Sequence, residues 1–167
     1  MNAPIDALEA RAVALVREAF AAARAGDAER LDALLAAGVP VGVANERGDT
    51  LLMLAAYYGH PDAVARLLAR GAEPDRANDR GQVPLAGAAF KGLCAVAEAL
   101  LDGGASVDGA GPDGRTPLMI SAMFDQAEVI ELLLARGADR ERRDVGGLRA
   151  VDLARMVGAP RAAGLLA

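Results

Sequence analysis

Apolar stretches along this chain come in pairs. In "LLMLAAYYGHPDAVARLLARGA" (51–72) a run rich in Leu and Ala stops at Gly59; a second run starts after Pro61 and stops at Gly71. Polar turns separate one pair from the next. Read as helices, the runs predict ten: 5–25, 28–37, 51–58, 61–70, 84–91, 94–102, 117–124, 127–136, 150–157 and 160–166. The first is the longest, with Ile5, Leu8, Leu15, Val16 and Phe20 as its apolar stripe.

The pairs recur at a fixed interval. Gly48, Gly81, Gly114 and Gly147 lie 33 residues apart, as do Gly38, Gly71, Gly104 and Gly137. A third row holds Gly26, Gly59, Gly92 and Gly158 and is interrupted by Asp125. Leu34–Leu35, Leu67–Leu68, Leu100–Leu101 and Leu133–Leu134 keep the same step. Each column has a physical use. Thr50 and Thr116 cap a first helix, and Pro84 and Pro117 suit its first position, where a missing N–H costs nothing. Ala55–Ala56 and Ala88–Ala89 keep that helix narrow enough for close stacking, and the leucine pairs bury the second helix. Gly71, Gly104 and Gly137 are expected at helix ends in left-handed conformation.

Shared columns of one period define an all-α solenoid of stacked helix-turn-helix units with projecting β-turns. It is divided here as one domain, 1–167: an N-terminal cap unit (1–44), internal repeats 45–77, 78–110 and 111–143, and a C-terminal cap unit (144–167). The last unit, "GGLRAVDLARMVGAPRAAGLLA", carries Arg149 at the Thr place, as suits a terminal face that meets water. Leu101→Ala in the middle is therefore expected to destabilise more than Leu166→Ala at the end.

The period, with "GRTPLMISAMF" (114–124), "GDTLLMLAAYYGH" (48–60), "GQVPLAGAAFKG" (81–92), "LLARGA" (67–72) and "LLLARGAD" (132–139), resembles the ankyrin-repeat family. The resemblance covers about residues 14–167. It implies a concave groove lined by the turns and by the solvent side of each first helix. The two positions after each Ala-Ala pair would face it: Tyr57 and Tyr58, Phe90 and Lys91, Met123 and Phe124, Met156 and Val157. Turn tips Glu46, Arg47, Asp49, Asp79, Arg80, Gln82, Asp113 and Arg115 would stand beside them. The wording also resembles small bacterial ankyrin proteins encoded beside catalases, which implies an alternative antioxidant-support role.

Composition sharpens this picture. Aromatics are only 3% of the chain, and four of the five fall in the groove column. Such rings dominate interface hot spots, so the column reads as a partner-facing stripe. The other reading is that the rings pack over neighbouring first helices and extend the core. Net charge is −5, and the seventeen Arg and the single Lys91 are interleaved with acids, which excludes a basic stripe for nucleic acid. Cys94 is alone, so no intrachain disulfide forms. No apolar run reaches the roughly 18 residues of a membrane span. The start, "MNAPIDALEARAVALV", lacks a basic leader with an unbroken apolar centre. A cytoplasmic monomer is expected.

Catalytic chemistry is missing. His60 is the sole histidine, at the place where the family has a structural one, and no second ligand completes a metal site. Cys94 reads as a small apolar filler; a reactive thiol needs an electropositive site, toward which only Lys91 points. "GGLRAVDLA" and "GPDGRTP" lack the Lys-Ser/Thr ending of a phosphate loop. Asp75, Asp79 and Asp113 recur as turn caps, and "DRERRD" (139–144) as a solvated hairpin tip. No cofactor is expected. The chain reads as a non-catalytic module that displays a rigid groove and turn tips to a protein partner.

Overall fold

Each Leu/Ala run closes into a helix because its ends are fixed locally, and the glycine rows set where the chain reverses. The computed structural model describes residues 3–167, with side chains from residue 7 onward. Its helices are α1 (Ala3–Ala25), α2 (Ala28–Ala36), α3 (Leu51–Tyr57), α4 (Pro61–Ala69), α5 (Pro84–Lys91), α6 (Cys94–Asp102), α7 (Pro117–Met123), α8 (Ala127–Ala135), α9 (Ala150–Val157) and α10 (Pro160–Leu166).

The caps follow the columns. Thr50 Oγ1 accepts the Met53 N–H at 3.1 Å and Thr116 Oγ1 the Met119 N–H at 3.3 Å, both out of reach of water. Helix α4 ends one residue before the predicted limit, because Gly71 takes a φ of +88° and turns the chain back. Its N–H donates to Leu68 O at 2.9 Å and that of Ala72 to Leu67 O at 3.0 Å, a Schellman end. The same pattern closes α6 at Gly104 and α8 at Gly137, with φ of +92° and +85°. Asp125, which breaks the third glycine row, keeps its geometry at φ +53°, and its carboxylate accepts the Ala162 N–H at 2.7 Å.

The odd-numbered helices stack in one layer and the even-numbered helices in another, each packing mainly on its neighbours. Ala55, Ala56, Ala88 and Ala89 are wholly buried and let the odd layer close up. Leu34, Leu67, Leu100 and Leu133 fill the space between layers. Their partners Leu35, Leu68, Leu101 and Leu134 are only half-buried, being a further ~100° round the helix. The burial behind the expected order of Leu101 and Leu166 is reversed: Leu166 is 7% exposed and Leu101 lies on the half-covered side.

The predicted stripe of α1 also needs correction. Leu8 is 67% exposed, while the helix meets the core through Ala19, Ala22 and Ala23, with Leu15, Val16 and Phe20 packed alongside. The side chain of Ile5 falls outside the described residues. A helix of 23 residues runs about 35 Å, against about 10 Å for the seven of α3. Its first half therefore overhangs the stack.

Different side chains clasp each joint at equivalent positions. On the even layer, Asp32 receives Arg66 and, at 3.1 Å, Arg70; Arg136 reaches Asp102 at 2.7 Å and Glu98 at 3.5 Å. At the outer loops, the Asp75 carboxylate accepts the Ser106 N–H, and Asp108 accepts that of Asp139. Asp75 is thus a clasp between units rather than a cap of its own turn.

Candidate binding groove

The residues after each Ala-Ala pair sit at the ends of the odd helices, where the narrow layer no longer covers them. Tyr57, Tyr58, Phe90 and Phe124 are 44%, 50%, 43% and 47% exposed. Met123 is not with them: it is half-buried and packs against the core. Phe90 and Phe124 meet edge to face with centroids 4.5 Å apart, and Tyr57 meets Tyr58 at 5.7 Å. Lys91 stands 4.3 Å from the centre of the Tyr57 ring and donates to Tyr57 O at 2.9 Å. Every ring is thus about half in contact with the protein and half open to water. At the far end Met156 and Val157 are also exposed.

The turn tips are held by a column that the sequence reading missed. Asn45 Oδ1 accepts the N–H groups of Arg47 and Asp49 at 2.9 and 3.0 Å; Asn78 Oδ1 accepts those of Arg80 and Gln82, and Asp144 Oδ1 those of Gly146 and Leu148. These three positions share the 33-residue register, but Gly111 stands at the fourth, which hides the column in the letters. The turns also bond to each other. Asp79 N–H donates to Arg47 O at 3.1 Å and Val145 N–H to Asp113 O at 3.0 Å. Between the second and third turns the equivalent donor is Pro112, which has no N–H.

Among the named tip residues, Glu46, Arg47, Asp79, Arg80, Gln82 and Asp113 are exposed. Asp49 and Arg115 are half-buried and engaged within the turns. Asp49 accepts from Asn45 Nδ2 at 3.3 Å and from Asn78 Nδ2 at 2.9 Å. Arg115 lies 3.6 Å from Asp113 and 3.8 Å from Asp144. Where α1 faces the first turn lies a cleft of about 730 Å³, lined by Val13, Val16, Phe20, Leu54 and Tyr58 together with Arg17, Arg24 and Arg47.

The lone histidine is a clasp. His60 Nε2 lies 2.8 Å from Arg24 O. In the next joint Lys91 serves the equivalent carbonyl of Tyr57, and in the one after it Gln126 Nε2 donates to Phe90 O at 3.3 Å. Burial pushes the Cys94 thiol up, and Glu128, Glu98 and Glu131 push it further, the opposite of an activated thiolate. In the 139–144 segment, Asp139 caps the Glu141 N–H, Arg143 donates to Gly147 O and Glu141 pairs with Arg149. Among the described residues no three His, Cys, Asp or Glu gather as a metal site would require, and no helix is long and apolar enough to cross a membrane.

Paired helices in two layers with one hydrogen-bonded turn per unit define a helical-repeat solenoid. The model for a run of three ankyrin repeats matches residues 19–110, and the model for a single ankyrin repeat matches 113–145. The chain belongs to the ankyrin-repeat family. It is also similar to an ankyrin repeat protein of Pseudomonas aeruginosa, 49% identical over 63 residues. That stretch is 38% of this chain and 37% of the relative.

Proposed function

We propose that this chain is a non-catalytic protein-binding module whose partner seats on the concave side, across the half-exposed rings and the exposed turn tips. The observation that carries the reading is the row Tyr57, Tyr58, Phe90 and Phe124: nearly all the aromatic area of the chain, held by cross-contacts and left half open to water. Rings fixed in advance lose little freedom on binding, so the contact area they bury goes largely into affinity. Ankyrin repeats generally act as protein-interaction modules, which supports the same reading. No observation here favours the antioxidant-support alternative.

The test is a quantitative pull-down with the whole chain as bait, run beside Tyr58→Ala/Phe90→Ala and, on the opposite layer, Arg66→Ala/Arg136→Ala. A partner retained by the wild type and by the arginine variant, but lost with the ring variant, supports the proposal. Loss with the arginine variant alone would move the interface to the other side of the stack.

A further inference from the structure

The cleft between α1 and the first turn differs in chemistry from the rest of the surface. We infer, resting on the binding-module reading, that it seats an acidic, apolar peptide segment of the partner, with Leu, Ile or Phe anchors set among Asp or Glu.

Its floor is apolar and reachable: Val13 and Tyr58 are each about half exposed, with Val16, Phe20 and Leu54 beside them. An apolar anchor laid here would cover area that the fold leaves wet. The long helix α1 gives the cleft one wall, from Ala12 to Arg24, and the cleft opens broadly to solvent, which admits a chain rather than an enclosed small molecule.

Charge settles the polarity. Arg17, Arg24 and Arg47 line the cleft, and none of them forms an ion pair among the described residues. Along α2, α4 and α8 the pattern is different, since Arg30, Arg66, Arg70 and Arg136 all have carboxylate partners. Of the two acids lining the cleft, Asp49 has its oxygens engaged by Asn45 and Asn78, which leaves Glu46. A chain of net charge −5 thus brings three guanidiniums without ion pairs together with apolar side chains in one cleft. Carboxylates answer these in the bidentate geometry arginine favours, whereas a basic peptide would meet three like charges.

The experiment selects random linear peptides, displayed on phage, against the whole chain. Selected peptides are then labelled and titrated by fluorescence anisotropy. They are read against wild type, Arg17→Glu, Arg47→Glu, Phe90→Ala and, away from the cleft, Arg161→Glu, after thermal melts confirm that each variant folds. The expected result is net-negative peptides carrying large apolar residues. Arg17→Glu, Arg47→Glu and added salt should each weaken them about tenfold or more, while Arg161→Glu, an exposed reversal outside the cleft, leaves them unchanged. Basic peptides, or acidic ones indifferent to both cleft reversals, would overturn the inference, as would a failure to enrich any peptide. Peptides lost only with Phe90→Ala would remove this seat and leave the module reading standing. A dimer seen by sedimentation in the wild type and absent in Arg17→Glu would give the cleft to a second copy and also overturn it.

Discussion

Phe90 shows what half-exposure means for a side chain. Truncating a fully packed Phe costs roughly 3–5 kcal/mol. With 43% of its surface in water and Phe124 4.5 Å away, Phe90→Ala should cost about 1–2 kcal/mol in urea unfolding. A loss at the top of the core range would make the ring structural. Asp152 carries the clearest pH dependence. Hydrogen bonds from the Arg149 side chain and backbone hold its carboxyl below the ordinary 3.8. A carboxyl with a lowered folded pKa adds stability above its unfolded pKa and loses it as pH falls through the folded one. The stability gap between wild type and Asp152→Asn should therefore be full near neutrality and close below pH 3.8, as melts across that range would show. At this scale the sequence was only half legible. Whether Tyr57 faces water depends on Lys91 from the next unit lying over its ring, a relation no local pattern contains. The Asn45, Asn78 and Asp144 column escaped because Asp does the work of Asn and Gly111 does none of it.

Among elements the legibility was higher. Most helices follow from the 33-residue columns; Thr50 and Thr116 cap α3 and α7, and positive-φ glycines close most of the C-terminal ends. The leucine pairs show where the letters stop: two identical neighbours have different fates because one helix has only one side facing the other layer. Leu100, wholly buried, should cost roughly 2–5 kcal/mol as Ala, and Leu101→Ala distinctly less. Chemical denaturation of the two variants side by side checks this, and equal losses would refute the assigned helix rotation. Helix α1 misled for a related reason. Its Leu8 continues the apolar stripe beyond the core, where it stays 67% exposed.

Across the whole molecule, stability is a sum of joints. The turn row bonds between its first and second members and between its third and fourth, but Pro112 leaves the middle step without a backbone bond. Gly111 also removes the side chain that closes the other turns. Amides of Gly111 and residues 113–115 should therefore exchange with deuterium faster than those of 45–49 and 78–82, and uniform rates along the row would contradict the gap. The clasps on the even layer carry a different consequence: they record sequence order. Suppose segments 45–77 and 78–110 were exchanged, keeping every residue and every column. Asp32 would then face Ala99 and Gly103, and Arg136 would face Ala65 and Ala69, while Arg66 and Arg70 would meet Glu98. Both joints that now carry a charge pair would lose it, and the middle one would gain one, although composition and period are untouched. Each loss at an exposed site is small, roughly 0–1 kcal/mol, so such a permutant should still fold and melt slightly below the parent. Interchangeable as they look in the alphabet of the repeat, the units have addresses.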